Sequence, residues 1–147
     1  MNNNFKKSPD LFKIAEKLKG IPYEHNGRSF EGVDCWGAVY LFFKELGIKL
    51  PIDDGEFISG TWYKEDPRRY ARALDEFGSE VGHYKNLQSL DIPYFILYKN
   101  VITHTAVMLD NVHFMHVLID KKVTIDTMKR RFWRAKYRGA RRIDLER

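Results

Sequence analysis

The sequence predicts an α+β fold in which helices come first and an antiparallel β-sheet follows. Two observations support this prediction. Up to about residue 77, apolar residues recur mainly at the spacing of amphipathic helices. From residue 90 onward, short segments rich in β-branched and aromatic residues alternate with turn dipeptides. We therefore expect N-terminal helices, one of them central, packed on an antiparallel β-sheet.

The first helix is predicted to begin at Ser8-Pro9-Asp10, with the serine as its cap, the proline at the first helical position and the acid in the first turn. Gly20 marks its end. Residues 21–33 are rich in glycine and polar groups, so we expect a surface loop there that is available for a functional site.

A second helix is predicted from about Cys35 to Leu46, with Asp34 as its N-cap and Gly47 after its end. Apolar side chains cover most of its circumference, which is typical of a helix that is buried on several sides. We therefore expect this helix to be the central one.

Residues 52–89 are interpreted as an elaborated insertion. They carry a predicted helix that starts after Asp66-Pro67 and is closed by Gly78, and an irregular stretch follows. Such an insertion can serve as a lid, a partner surface or a specificity element. Including it, the 147 residues fit one domain spanning residues 1–147.

The second half of the chain is predicted to consist mainly of strands. Asp126-Thr127 is expected to cap a short helix that reaches about Trp133. The predicted strands comprise residues 93–98, 102–109, 112–118, 123–125 and 137–143.

Composition restricts the function classes. The single cysteine excludes an internal disulfide, and no apolar run approaches the roughly 20 residues of a membrane span. The first ten residues are polar and lack the apolar core of a secretory signal. We therefore expect a chain that is cytoplasmic as synthesised, with no membrane among its partners.

Positive charge is concentrated in the C-terminal part of the chain. The formal net charge is +5, from 25 basic and 20 acidic residues. A basic face can meet nucleic acid or another acidic polymer, but it is more often simply solvated, so nucleic acid is not an expected partner. The basic residues in question are Lys129, Arg130, Arg131, Arg134, Lys136, Arg138, Arg141 and Arg142.

Cys35 is a candidate nucleophile because of its place at the start of the predicted central helix. A helix N-terminus carries a partial positive charge and N–H donors, which favour a thiolate over a thiol. The alternative is a small buried hydrophobic residue, which is what most free cysteines are. A nucleophilic cysteine also needs a base within hydrogen-bond reach.

His104 and His116 are the candidate base and its partner, and they flank a turn at Asp110-Asn111. A two-residue turn would place them on opposite faces of the hairpin. A three-residue loop over 110–112 makes them diagonal neighbours on one face, and a loop over 109–111 places them directly opposite. A functional pair therefore predicts an odd loop or a bulge, and the sequence leaves the register open.

Zinc is the other chemistry that these three side chains suggest. Cys35, His104 and His116 are all potential ligands. Two histidines on one hairpin and one distant thiol match the ligand spacing of zinc sites poorly. We therefore expect no metal and no cofactor.

The order of these motifs resembles that of the NlpC/P60 family of cysteine peptidases. The resemblance runs through Gly20-Ile21-Pro22-Tyr23, Val33-Asp34-Cys35-Trp36-Gly37, Thr103-His104, Phe114-Met115-His116 and Arg138-Gly139-Ala140-Arg141-Arg142. It covers residues 11 to 143 approximately. The Asp-Cys-x-Gly step is fairly specific when both histidines follow it.

The resemblance implies a papain-like α+β fold with a thiol protease activity. Its implied reaction is hydrolysis of an amide bond in the peptidoglycan stem peptides of the bacterial cell wall. Cys35 would be the nucleophile, His104 the base and His116 the residue that orients the base. The residues implied for the oxyanion and the substrate are Tyr23, Asp34 and Trp36.

Three features depart from the family pattern. Trp36 stands where the family has a serine, which resembles the phage-tail branch and would change the substrate pocket. Leu90-Asp91 replaces a Gly-Asp step, so only the acid is kept. The segment 52–89 is longer than the usual connection.

Two alternatives to a peptidoglycan hydrolase stay open at this point. One is a non-catalytic structural or assembly module, for example in a phage tail. The other is an acyltransferase or thioesterase with the same fold and the same cysteine–histidine pair. Because no secretory signal is recognised, an enzyme of the cell wall would need delivery by a phage, by lysis or by a dedicated secretion machinery. A phage or a secretion machinery would then be a partner.

Overall fold

The computed structural model describes residues 10–48, 50, 78–98 and 101–143 of the chain. The helices in these ranges are α1 (Leu11–Leu18), α2 (Cys35–Glu45) and α3 (Arg131–Lys136), with a 3₁₀ turn at Tyr84–Asn86. The strands are β1 (Arg28–Ser29), β2 (Gly32–Val33), β3 (Ser79–Val81), β4 (Ile92–Tyr98), β5 (Val101–Thr105), β6 (Val107–Met108), β7 (His113–His116), β8 (Thr124–Thr127) and β9 (Tyr137–Arg142).

These strands form three antiparallel sheets. The largest has four strands in the order β3-β9-β4-β5, a second has the order β6-β7-β8, and β1 and β2 form a short hairpin. Helices followed by antiparallel sheets are the predicted α+β architecture, which is confirmed. Within the described ranges, none of the helices combines the length and the hydropathy that spanning a bilayer requires.

Helix α1 begins later than predicted, at Leu11, whereas helix α2 begins where it was predicted. Asp10 is the N-cap of α1, and its carboxylate accepts from the amides of Phe12 and Lys13 at 3.1 and 3.3 Å. The predicted cap Ser8 lies outside the described residues. Helix α2 begins at Cys35 behind the predicted cap Asp34, and its buried residues lie on several sides, so the prediction of a central buried helix is confirmed.

Two apolar clusters hold the helices to the sheets. Residues that alternate along a strand point to opposite faces, and β6 shows this directly. Val107 belongs to the cluster formed with α1 and α2, whereas its neighbour Met108 belongs to the cluster that contains Trp133 of α3. The sheets are therefore covered by α1 and α2 on one face and by α3 on the other.

Three strand predictions need correction. The predicted strand 102–109 is broken at Ala106, because its first part pairs with β4 and its second part pairs with β7. Residues 21–33, predicted as a loop, contain the hairpin of β1 and β2. Part of the predicted insertion 52–89 is an edge strand, since β3 pairs with β9. Residues 51–77, with the helix predicted after Asp66-Pro67, lie outside the described residues.

The predicted cap of the last helix was wrong. Asp126 and Thr127 end strand β8, and α3 begins at Arg131 behind Arg130, which makes no side-chain cap. The carboxylate of Asp126 is instead engaged by the side chains of Arg130 and Trp133. It therefore stabilises the connection between β8 and α3 without acting as an N-cap.

Asp91 and Arg142 form an ion pair that ties the end of β9 to the start of β4. Both carboxylate oxygens of Asp91 accept from the guanidinium, each at 2.9 Å, and Asp91 is only 1% exposed. We predict that Arg142→Met lowers the free energy of unfolding by about 1–3 kcal/mol, because the buried carboxylate loses its charged partner and keeps the amide of Gln88 as a donor. Urea unfolding followed by circular dichroism measures the loss.

The matched control is Lys17→Met. Lys17 pairs with Glu45 at 2.6 Å on the surface, with 58% of the lysine side chain exposed, and such pairs contribute about 0–1 kcal/mol. Equal losses in the two variants would contradict a special role of the pair that contains the buried carboxylate of Asp91.

Candidate active site

Cys35 lies at the first residue of α2, and Asp34 fixes that position. Asp34 Oδ1 accepts from the amide of Gly37 at 2.7 Å and from Arg28 Nη1 at 2.6 Å. Its Oδ2 accepts from the amide of Asn26 at 3.0 Å. The carboxylate thus joins the helix start to the preceding segment, and the Cys35 side chain is buried at 6% exposure.

Gly37 makes the close packing at this helix start possible. A Cβ atom there would collide with the carbonyl oxygen of Gly27. Any other residue would push α2 away from the 21–33 segment, and with it the thiol of Cys35. The Asp-Cys-x-Gly step therefore has a steric reason for its glycine.

The hairpin that carries the two candidate histidines has an odd loop. The amide of Leu109 donates to the carbonyl oxygen of His113 at 2.8 Å, so the loop comprises residues 110–112. Asp110 closes it by accepting from the amide of His113 at 2.7 Å. The prediction of an odd loop is confirmed in its three-residue form.

His104 and His116 meet as that register requires. His104 Nε2 lies 2.9 Å from His116 Nδ1, a hydrogen-bond distance. The side chains are 3% and 2% exposed. Because each neutral imidazole has one donor and one acceptor nitrogen, the pair satisfies one nitrogen on each ring.

Aromatic rings surround the histidine pair. Phe95 and Trp133 lie 5.7 Å from His104 between ring centroids, and Trp133 is stacked on it with an interplanar angle of 29°. Phe114 and Trp133 lie 4.9 and 5.0 Å from His116. These rings hold both imidazoles in place and keep water away from them.

The thiol of Cys35 lies against the strand that carries His104. Its Sγ atom is 4.0 Å from the carbonyl oxygen of Thr103, close enough for a weak sulfur hydrogen bond. Thr103 directly precedes His104 on β5. The N-terminus of α2 and the histidine hairpin therefore converge at one place, although 68 residues separate the two groups in the chain.

Tyr23 lies beside the thiol. Its amide donates to the carbonyl oxygen of Lys121 at 2.9 Å, and it forms a bridge with Val33 next to the helix start. Burial, followed by the nearby acidic groups of Cys35, Asp34 and Asp120, raises the pKa of the Tyr23 phenol. The hydroxyl therefore stays protonated and can donate a hydrogen bond.

The comparison with known proteins decides the family. The sequence profile of the NlpC/P60 family matches residues 20–142. This chain belongs to the NlpC/P60 family. The match spans both the Cys35 helix and the histidine hairpin.

Relatives of this NlpC/P60 chain agree with the fold and the family. A murein DD-endopeptidase/murein LD-carboxypeptidase (MepS) of Escherichia coli K12 is 27% identical over 128 residues, which is 85% of this chain. The chain spans 57% of the length of that protein. A crystal structure of an NlpC/P60 family protein from Bacillus cereus ATCC 10987 superposes with a TM-score of 0.65 at 25% identity, covering 92% of this chain and 41% of the other.

A further structure, the NlpC/p60 domain of the peptidoglycan hydrolase SagA, is 15% identical and has a TM-score of 0.62. The superposition covers 91% of this chain and 97% of that domain. At this level of identity the likeness concerns the fold alone. It shows that the helices and sheets described above are arranged as in an NlpC/P60 domain.

The structure does not test the substrate-binding roles that the resemblance implies for Trp36 and Asp34. Trp36 is buried at 5% exposure at the second residue of α2. Asp34 is engaged in capping, as described. Their parts in binding substrate, and the likeness to the phage-tail branch, stay predictions. In the portion of the chain that the structure describes, no group of three His, Cys, Asp or Glu side chains is arranged to hold a metal ion.

Asp126 is the site residue that the sequence analysis missed. Its Oδ2 lies 3.7 Å from His116 Nε2 and accepts from Trp133 Nε1 at 2.9 Å. The register of β7 with β8 pairs Phe114 with Asp126, so Asp126 is a diagonal neighbour of His116. Residues 124 and 126 lie on one face of β8, but this alternation points to Asp126 only when the register between β7 and β8 is known.

The surroundings of Asp126 keep it ionised. Burial alone would raise its pKa, but contacts with His116, Arg130, the amide of Thr127 and the indole of Trp133 outweigh that effect. The pKa of Asp126 is therefore held well below its ordinary value of 3.8. A negative charge accordingly stands next to the histidine pair at neutral pH.

Burial, followed by the neighbouring His116, lowers the pKa of His104 well below its ordinary value of 6.5. Below that pH the unfolded chain takes up a proton that the folded chain does not. We predict that acid destabilises the protein through His104 by up to about 1.4 kcal/mol per pH unit as the pH falls below about 6.5. Urea unfolding at several pH values gives this slope.

His104→Gln should show a shallower slope than the wild type, whatever its absolute stability. The control is His83→Gln, since His83 is exposed at a 3₁₀ turn away from the site, and it should keep the wild-type slope. A wild-type slope in His104→Gln would show that the buried imidazole is not held neutral.

Proposed function

We propose that this NlpC/P60 protein is a cysteine endopeptidase that hydrolyses an amide bond in peptidoglycan stem peptides. The observation that carries the proposal is the buried hydrogen bond of His104 with His116, next to the strand that the Cys35 thiol contacts. A nucleophile, a base and an orienting group in one place are what acyl transfer requires. The name of the relative that is 27% identical, a murein endopeptidase, supports the same substrate class.

In the first step Cys35 gives its proton to His104 and attacks the carbonyl carbon of the scissile amide. The nitrogen of His104 that receives the proton is Nδ1, because Nε2 is taken by His116. The thiolate forms a C–S bond, and the carbonyl oxygen becomes an oxyanion. The partial positive charge at the start of α2 favours the thiolate.

The oxyanion is stabilised by two donors in this proposal. One is the backbone N–H of Cys35, which belongs to the first turn of α2, where N–H groups have no intrahelical acceptor. The other is the hydroxyl of Tyr23, whose raised pKa keeps its proton in place. Donors that meet the charge as it develops stabilise the transition state more than the bound substrate.

Proton return completes the cycle. His104 protonates the leaving amine as the C–N bond breaks, which leaves a thioester on Cys35. A water molecule then gives a proton to His104 and attacks the thioester carbon. The acid product leaves, and the Cys35 thiol recovers its proton from His104.

The rival functions differ in their products. An acyltransferase or thioesterase would use the same thioester but would pass the acyl group to another acceptor or take it from a lipid. A non-catalytic assembly module would have an unreactive thiol. Delivery to the cell wall by a phage, by lysis or by a secretion machinery belongs to the proposal and stays a prediction.

We predict that iodoacetamide alkylates Cys35 at pH values well below the ~8.5 at which a free cysteine is half ionised. In His104→Ala the midpoint of the reactivity profile should move upward, because the proton acceptor is gone. The matched control is His113→Ala. His113 lies on the same hairpin but bonds Asp110 at 3.0 Å, so its removal should leave the midpoint unchanged. A thiol that stays inert up to about pH 9 would favour the assembly module.

We predict that the wild type releases new peptides from purified muropeptides and that Cys35→Ala lowers this rate by at least about a thousandfold, because the nucleophile is lost. Mass spectrometry of the digests identifies the bond that is cleaved. His113→Ala serves again as the control and should digest as the wild type does. Identical peptide patterns for the wild type and Cys35→Ala would overturn the assignment to the cell wall.

A further inference from the structure

We infer that Asp126 is a positioning residue, which sets the tautomer of His116 and thereby leaves the proton-accepting nitrogen of His104 on the side of Cys35. This inference rests on the proposed function of the histidine pair. It extends the linear arrangement of Cys35, His104 and His116 by a fourth group.

The tautomer argument starts from the 2.9 Å contact of His104 Nε2 with His116 Nδ1. In a neutral pair one of these two atoms must carry the hydrogen, and the contact alone does not decide which one. If His116 Nδ1 carried it, then His104 Nε2 would be the acceptor and the hydrogen of His104 would be on Nδ1. That tautomer could not receive a proton from Cys35 at Nδ1.

Asp126 decides between the two arrangements. Its Oδ2 lies 3.7 Å from His116 Nε2, the nitrogen that faces away from His104. A carboxylate only accepts hydrogen bonds, so it favours the tautomer with the hydrogen on His116 Nε2. His116 Nδ1 is then the acceptor, His104 Nε2 is the donor, and His104 Nδ1 holds the lone pair that the reaction needs.

The distance of 3.7 Å also has a meaning for the reaction. It exceeds a direct hydrogen bond, which spans 2.7–3.2 Å, so Asp126 acts on the resting pair through its charge. When Cys35 gives its proton to the pair, positive charge develops on buried rings. A carboxylate next to them stabilises that charge, and a small approach would turn the contact into a charge-assisted hydrogen bond.

The carboxylate is itself held from several sides. Trp133 Nε1 donates to Oδ2 at 2.9 Å, Arg130 Nη1 donates to the same atom at 2.8 Å, and the amide of Thr127 donates to Oδ1 at 2.8 Å. The indole of Trp133 also stacks on His104. Trp133 therefore fixes both the ring plane of His104 and the position of the Asp126 carboxylate.

The four groups of the relay lie on four different elements, and Asp34 with its partner Arg28 lies directly before Cys35. Cys35 is on α2, His104 on β5, His116 on β7 and Asp126 on β8. Tyr23 lies beside Cys35 and stays neutral. Arg130 precedes α3 and partly offsets the charge of Asp126, so its removal should strengthen the effect of the carboxylate on His116.

The test is Asp126→Asn, read by ¹⁵N NMR of labelled histidines and by the pH profile of Cys35 alkylation. We expect the wild type to show His116 protonated at Nε2. In the variant the amide can donate to Nε2, so His116 should change to the Nδ1–H tautomer. The alkylation midpoint should rise by about one pH unit or more, and kcat should fall at least about tenfold with little change in KM.

Two controls separate positioning from a structural role. Asp110→Asn removes a carboxylate that lies 3.0 Å from His113 Nδ1 on the same hairpin, and it should change neither the midpoint nor the His116 tautomer. Arg130→Gln keeps the carboxylate but removes its surface partner, and it should keep the Nε2–H tautomer with an equal or lower midpoint. A switch of tautomer in Arg130→Gln would overturn the inference.

The outcomes distinguish this inference from the proposed function. The wild-type spectrum alone tests the inference, even if Asp126→Asn does not fold, because an Nδ1–H tautomer of His116 would overturn it. If the wild type digests muropeptides while Asp126→Asn keeps the wild-type tautomer and midpoint, the inference fails and the function stands. If the tautomer switches but the wild type cleaves no muropeptide, the function fails and the relay stands.

Discussion

The hydrogen bond between two buried imidazoles is the constraint on which the site depends. Its 2.9 Å length requires that His104 and His116 face each other across strands of two different sheets. A slip of one residue in the hairpin would turn His116 to the opposite face, and the bond would be lost. The loop of residues 110–112, the break at Ala106 and the aromatic rings around the pair all serve to keep that geometry.

Burial fixes the geometry of the His104–His116 pair, but it also makes protonation of the imidazoles less favourable. Aromatic surroundings keep the rings in place and exclude water, but they also oppose a positive charge on His104. At the other end of the site, Asp34 fixes the start of α2 while placing a negative charge next to Cys35, which opposes the thiolate. Arg28, at 2.6 Å from Asp34, offsets that charge. These charges act on Cys35 and His104, the two groups that exchange a proton in the proposed mechanism.

Local patterns predicted the parts of the molecule that depend on local interactions. The buried character of α2 follows from its apolar circumference, and its start at Cys35 follows from the capping aspartate. The odd loop was predicted only by requiring His104 and His116 to meet, because the sequence by itself left the register open. Features set by tertiary pairing escaped prediction. The strand break at Ala106 arises because the two halves find different partners, and Asp126 reaches His116 only through the register of a second hairpin. The hydrophobic periodicity of the sequence predicts neither the strand break nor the contact of Asp126 with His116.

Strand β9 is the last described element of the chain, yet it lies inside the four-stranded sheet, between β3 and β4. During synthesis the N-terminal parts of a chain emerge first. Cys35, His104 and His116 all leave the ribosome before the strand that completes the four-stranded sheet. Until β9 inserts, β4 presents an open edge. The order of the elements thus makes the completion of this fold a late event, so that the side chains of the candidate site are synthesised well before the sheet that carries His104 is complete.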